Sequence, residues 1–311
     1  MKKVFKVALA LGGGGVRGFA HIGAMKVLKS HSVPLDLVVG TSIGAIIGGC
    51  FCLNPDTDIL EQRFLEMINR PQVRNLELFF AQVSDGSDKK FIIERLISRI
   101  RDICAWNLKK AKKWLVRTEP IVALLSDLFG EKKFSETQIP FACVAVDLIK
   151  GTEIIIREGR ILDGILASSS IPGIFAPLKC DEGLLVDGGI LASIPAREAR
   201  ILGADFVIGV DLEDIRFKKE LYTGLDVMFQ SDLIKTHFLN EINLKYCDWV
   251  IKPDITDISW SEFSRGPFCL RQGESAALKE VDKIKNALNK KRRFYSLKKL
   301  FSRPKGGSYV D

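Results

Sequence analysis

The sequence predicts an α/β fold: three α/β/α layers around a mainly parallel central sheet, with an inserted helical cap. Three observations carry that prediction. Two strand–turn–helix units follow one another before Asn54. Their strands are apolar throughout rather than alternating, as strands buried on both faces are. The same strand–helix alternation resumes at Pro140, after a long helical and aromatic stretch.

Taken in order, Phe5–Leu11 is an apolar strand. Gly12-Gly13-Gly14-Gly15-Val16-Arg17-Gly18 follows it, and then a helix from Phe19 to Leu28. Pro34 and Asp36 lead into a second strand, Leu37–Val39, which turns sharply at Gly40-Thr41-Ser42-Ile43-Gly44 into a helix ending near Leu53. Asn54–Asn75 reads as helix. From Leu76 to Phe134 the chain is aromatic and basic. Phe91, Ile92, Leu96, Ile100 and Ile103 recur at helical spacing. Lys109, Lys110, Lys112, Lys113 and Arg117 surround Trp114 and Leu115 in a basic amphipathic segment, and Ile121–Phe129 is helical. Residues 76–134 are therefore expected to form the cap, inserted into a body that spans 1–289.

Phe141–Asp147 and Thr152–Arg157 are expected strands across a Lys150-Gly151 turn. Ile161–Leu166 begins a helix, and Ala167–Pro177 is a stiff loop with two prolines. Gly183–Val186 is a short strand ending in Asp187-Gly188-Gly189. A helix (Pro195–Leu202), a strand (Asp205–Leu212), a long helix (Gly224–Leu244), a strand (Trp249–Ile251) and a final helix (Glu274–Leu288) complete the body.

The chain has 311 residues, 47% of them hydrophobic, enough for a sizeable core. Eight Lys/Arg and no acid lie between Lys290 and Lys305, and they account for the whole formal charge of +8. Residues 290–311 read as a disordered basic tail suited to an anionic partner. The seven scattered cysteines form no C-x-x-C pair, which fits free thiols in a reducing compartment. The N-terminal apolar run Val7–Leu11 is shorter than a signal-peptide core. Leu37–Leu53 is uncharged, but glycines and Thr41-Ser42 interrupt it and it falls short of the ~20 residues a spanning helix needs. A cytoplasmic protein, peripheral on the inner face of the membrane, is the resulting expectation.

Gly40-Thr41-Ser42-Ile43-Gly44 matches G-x-S-x-G in the strand–turn–helix context of a nucleophile elbow. Glycines at both flanks of the serine remove side chains that would collide in so tight a turn, and the helix N-terminus behind it favours a developing anion. Gly13-x-Gly15-x-x-Gly18 also fits a dinucleotide loop, but no acid ends the next strand, and a Walker lysine is missing. The other use of such a loop is an oxyanion hole, with Gly13, Gly14 and Gly15 offering N–H groups and Arg17 adding charge or holding the loop. A serine nucleophile needs a base. Of the three histidines, His21 and His31 are poorly placed, and His237 lies within a helix. Asp187 ends a strand before two glycines and is the better candidate, with Asp147, Asp205 and Asp211 as other strand-end carboxylates.

The glycine loop, the elbow and Asp187-Gly188-Gly189, in that order, resemble the patatin-like phospholipases, and most of all the bacterial branch akin to the catalytic domain of neuropathy target esterase. Phe19-Ala20-His21-Ile22-Gly23, Ala167–Gly173 and Leu202–Asp205 strengthen the resemblance. It implies a histidine-free dyad of Ser42 and Asp187, oxyanion donors at Gly13, Gly14 and Gly15 near Arg17, and motif glycines at Gly18, Gly40, Gly44, Gly188 and Gly189. It further implies hydrolysis of phospholipid or lysophospholipid esters with no metal or organic cofactor. Many relatives carry Asn-x-Pro after the Asp-Gly-Gly, whereas this chain has Ile190–Pro195. Cap and tail together suggest peripheral binding to an anionic membrane, and no nucleic acid partner is expected. The alternative function is a non-catalytic lipid-binding or regulatory protein that retains the motifs.

Overall fold

The computed structural model describes residues 4–84, 116, 118–181, 183–213, 217 and 219–301. Its centre is an eight-stranded sheet built from β1 (Val7–Leu11), β2 (Leu37–Gly40), β3 (Phe141–Asp147), β4 (Thr152–Ile156), β5 (Leu178–Cys180), β6 (Gly183–Asp187), β7 (Phe206–Val210) and β8 (Trp249–Ile251). The strands run β3-β2-β1-β7-β8 in parallel, with β4 and β6 antiparallel to β3, and β5 antiparallel to β6. The fold is the expected α/β class. β5 was not foreseen: its three residues, Leu178-Lys179-Cys180, carry no strand pattern and are held only by their hairpin with β6.

The period-two geometry of a strand sorts the core into two layers. Val7, Leu9 and Leu11 of β1 point into the larger core, while Ala8 and Ala10 point to the other face. The larger core lies under α1 (Phe19–Ser30), α2 (Ile43–Leu53) and the long last helix α9 (Gly266–Phe301). On the opposite face, alanines of the sheet meet Ala196 and Ala199 of α7 (Ala196–Ile201), so that short helix sits close; α8 (Gly224–Leu244) adds Leu244 there.

The helix expected over Asn54–Asn75 is two helices, α3 (Thr57–Met67) and α4 (Pro71–Ser84). Asp56 caps α3 by accepting the N–H groups of Asp58 and Ile59, and Pro71 starts α4, as a first-turn proline can. Beyond α4, α5 (Glu119–Phe129) buries Leu124, Leu125 and Phe129 in the main core. That part of the expected cap is body. The basic amphipathic segment and the helical run between 85 and 115 lie outside the described residues. α6 (Ile161–Ser168) covers β3. The six described cysteines, Cys50, Cys52, Cys143, Cys180, Cys247 and Cys269, are unpaired. Among the described residues no helix is long and apolar enough to cross a membrane.

The final helix departs most from expectation. α9 begins before Glu274 and continues to Phe301, so Lys290–Phe301 are helical rather than a disordered tail; 302–311 lie outside the described residues. Its basic end is held by contacts the sequence hides. Lys291 pairs with Asp248 and stands over the Phe206 ring. Tyr295 packs edge-on to Phe5, with ring centroids 5.3 Å apart, and Arg292 covers the same ring. Phe5 precedes β1, so this basic end sits at the edge of the sheet opposite Gly12.

α1 and α9 approach backbone to backbone. A Cβ on Gly273 would lie 2.0 Å from Ala20 O, and one on Gly23 would lie 2.1 Å from Leu270 O. Gly273→Ala therefore forces the helices apart and lowers unfolding stability by about 1–3 kcal/mol despite better helix propensity. Gly224→Ala at the start of α8, where nothing lies within 4 Å, is expected to be neutral or mildly stabilising in the same denaturant titration.

Candidate active site

The site exists because two strands end head to head on one edge of β3. β4 takes one edge of β3 from Cys143 to Asp147. β2 and β6 therefore share the other. Gly40 of β2 pairs with Cys143, and Asp187 of β6 pairs with Ala145. Two residues along a strand span roughly 7 Å. The elbow that leaves β2 and the carboxylate that ends β6 are thus delivered to the same place from opposite directions.

The elbow is strained and tightly tied. Ser42 has φ 55° and ψ −123°, a region that costs a non-glycine residue about 1–3 kcal/mol. The glycines on either side are sterically required. A Cβ on Gly40 would lie 2.4 Å from Gly44 O, and one on Gly44 would lie 2.2 Å from Leu11 O. Thr41 is fully buried; its N–H donates to Leu11 O at 3.0 Å and its hydroxyl to Ala192 O at 2.9 Å. The Ser42 N–H donates to the Ser168 hydroxyl at 3.1 Å. Thr41 and Ser168 escaped the sequence reading, because their partners lie more than a hundred residues away.

The Ser42 side chain lies near enough to the Asp187 carboxylate to favour its charged form. Asp187 is buried, with its N–H on Ser170 O at 3.0 Å, and its Oδ1 accepts the Gly189 N–H at 2.7 Å. Burial pushes its pKa from 3.8 up to about 6, against the opposing pull of the Ser42 hydroxyl and the Gly189 N–H. Gly188 lets the chain turn away under β3, where a Cβ would lie 2.4 Å from Val144 O.

The other strand-end aspartates are occupied elsewhere. Asp147 Oδ1 accepts the N–H groups of Ile149 and Leu184, and Asp211 Oδ1 accepts that of Glu213. Asp205 sits at the far edge of the sheet on the Lys6 N–H. The histidines have other partners as well. His31 Nδ1 meets Val27 O, His237 faces Glu213 across 3.7 Å, and His21 meets Gly12 O. Among the described residues no three His, Cys, Asp or Glu side chains gather as metal ligands.

The glycine loop lies against the serine: a Cβ on Gly13 would stand 3.5 Å from Ser42 Cβ. Its N–H groups are not equivalent. That of Gly13 donates to Ser193 O at 2.9 Å, so it is not free to meet an oxyanion as the sequence suggested. Those of Gly14 and Gly15 find no acceptor among the described residues. Arg17 turns inward on the loop, with Nε donating to Gly14 O at 3.2 Å. The Val16 N–H donates to Trp260 O at 2.8 Å, which seats Trp260 beside the loop. Around Trp260 gather Phe80 of α4 and Ile171, Ile174 and Phe175 of the proline loop.

Asp187 carries a stability consequence with a definite sign. Its folded pKa lies above the unfolded value of 3.8, so the folded state loses stability as pH rises through about 6. The gap of about two pH units corresponds to ~3 kcal/mol at neutral pH. Asp187→Asn is expected to raise Tm by several degrees at pH 8, and the gain should disappear by pH 4.

Comparison with known proteins follows the same landmarks. The family model for patatin-like phospholipase matches residues 9–200, from β1 through the elbow and Asp187 into α7. An uncharacterised NTE family protein of Mycobacterium tuberculosis is 31% identical over 207 residues, covering 67% of this chain and 49% of its own length. The neuropathy target esterase of Drosophila melanogaster is 28% identical over 222 residues, 66% of this chain and 13% of its own. A lysophospholipase of Emericella nidulans is 27% identical over 210 residues, 67% of this chain and 12% of its own. This chain thus spans about half the length of the mycobacterial relative and about an eighth of the other two. Among solved structures it is similar to VipD from Legionella pneumophila, at 12% identity and a TM-score of 0.47 over 90% of this chain and 67% of that one. On the sequence match across the elbow and the aspartate, the chain belongs to the patatin-like phospholipase family.

Proposed function

We propose that this chain is a serine lipid acyl hydrolase of the phospholipase A or lysophospholipase type, acting through a Ser42–Asp187 dyad. The observation that carries the reading is the registry on β3, which brings the strained Ser42 and the buried Asp187 carboxylate, its pKa raised by burial to about 6, to one place. A base works best when its pKa lies close to the working pH, and burial has moved Asp187 toward it.

Ser42 Oγ attacks the ester carbonyl carbon as its proton passes to Asp187. The carbonyl oxygen becomes an oxyanion held by the N–H groups of Gly14 and Gly15. The tetrahedral adduct collapses, the C–O bond to the alcohol breaks, and that alcohol leaves with the proton from Asp187. Water then attacks the acyl-enzyme, gives its proton to Asp187, and the fatty acid departs as Ser42 takes the proton back. Phe80, Ile171, Ile174, Phe175 and Trp260 form an apolar cluster that suits an acyl chain alongside the loop. The relatives named lysophospholipase and neuropathy target esterase support the ester class.

Peripheral membrane binding belongs to the same proposal, with the basic end of α9 at the opposite strand ends from Ser42. That end packs on Phe5.

Release of fatty acid from a phospholipid and lysophospholipid panel, together with fluorophosphonate labelling, should vanish in Ser42→Ala; labelling that persists there refutes the nucleophile. Labelling also separates this reading from a non-catalytic lipid binder, which would not be labelled. For the native chain, kcat/KM is expected to rise with pH to a plateau, half-maximal at about pH 6, because only the Asp187 carboxylate accepts a proton. Asp187→Asn should lower kcat at least ~10³-fold while remaining folded.

A further inference from the structure

His21 is a buried group that the mechanism leaves unused. Its side chain is fully enclosed, and its Nε2 lies 2.7 Å from Gly12 O. Its Nδ1 is buried with no hydrogen-bond partner among the described residues. We propose that His21 is a positioning residue for the oxyanion loop: its Nε2–H fixes the Gly12–Gly13 peptide, and through it the direction of the free N–H groups of Gly14 and Gly15. The proposal rests on the reading of those two groups as oxyanion donors.

The geometry follows from the planarity of the peptide unit. Gly12 C=O and Gly13 N–H belong to one plane and point opposite ways. His21 holds the first, and Ser193 O holds the second at 2.9 Å. Two residues on, Gly14 C=O is held by the Arg17 N–H at 3.3 Å and by Arg17 Nε at 3.2 Å. That fixes the plane of the Gly14–Gly15 peptide, and with it the Gly15 N–H. The Gly14 N–H lies between the two pinned peptides. Four consecutive glycines have no side chains to restrict φ and ψ, and donors aid catalysis only when they are oriented beforehand. In such a run, external hydrogen bonds must supply the rigidity that side chains would otherwise give.

The chemistry of the ring agrees. Burial lowers the pKa of His21 to about 4, so the imidazole is neutral at working pH and carries a single proton. Gly12 O can only accept, so that proton sits on Nε2, and the unpartnered Nδ1 is the bare nitrogen. A histidine here stays uncharged at working pH and bonds Gly12 O. What it offers is one donor on a rigid ring, aimed from α1 at the first glycine of the loop.

The test compares His21→Leu with His21→Gln in the full chain; the glutamine amide can replace the Nε2 donor. At a temperature where both are folded, His21→Leu is expected to lower kcat ~10–100-fold with KM changed less than about threefold. Affinity for a trifluoromethyl ketone, whose serine adduct carries an oxyanion, should fall by the same factor. His21→Gln should recover kcat to within about fivefold of the native chain. Native kcat in folded His21→Leu, equal losses in both variants, or a loss confined to KM overturns the proposal. Nitrogen NMR gives a readout independent of activity. His21 should show the Nε2–H tautomer unchanged from pH 5 to 8, and the amide signals of Gly14 and Gly15 should move in His21→Leu. An Nδ1–H tautomer or unmoved amides would refute the positioning role. Absence of hydrolysis and ketone binding in the native chain would refute the hydrolase reading, while the NMR result still decides the role of His21.

Discussion

The shared edge of β3 is the constraint on which the site depends. One strand carries β2 on the first part of an edge and β6 on the last part, in opposite directions, with β4 filling the edge behind them. A continuous neighbour along that edge would leave no gap for a side-chain pair. Two neighbours that stop short leave an interval of about two residues, and both strands end there in turns made of small residues. The meeting of Ser42 with Asp187 is therefore a property of sheet registry before it is a property of either side chain.

Several unfavourable local features accumulate in that interval. Ser42 is held at a positive φ, Asp187 keeps its carboxylate under cover, and the N–H groups of Gly14 and Gly15 have no acceptor among the described residues. Each is tolerated because the surroundings are over-determined. Thr41 is anchored to β1 and to the segment after Asp187, the Ser42 N–H is taken by Ser168, and the loop is held by Val210, Ser193, Arg17 and Trp260. A large apolar core on one face of the sheet and closely packed alanines on the other supply the stability that these features consume.

Much of this was legible in the residues. Ile43–Leu53, Phe141–Asp147, Gly224–Leu244 and Trp249–Ile251 fall where apolar periodicity and turn residues place them. Ser42 and Asp187 were legible because glycine-flanked turns at strand ends mark themselves. What stayed hidden depends on partners distant in sequence. The Gly13 N–H looked as available as its neighbours until Ser193 O was seen to take it. The stretch after Leu288 looked disordered because its charge is conspicuous, while Phe5, Phe206 and Asp248, which hold it in a helix, are remote. Pro71 signalled the break between α3 and α4, but the apolar spacing across it reads as one continuous helix.

The head-to-head arrangement on β3 also bears on the order of folding. The backbone of the elbow joins β2 to α2 and bonds β1, all close in sequence, whereas its ties to Ser168 and Ala192, and Asp187 itself, arrive only when segments from far down the chain have docked. Contacts of such long sequence separation form late and slowly. A chain that has assembled only its first half thus presents Ser42 without Asp187 beside it. Completion of the sheet and the meeting of Ser42 with Asp187 thus become a single event, and a copy whose β6 has not docked keeps the two side chains apart.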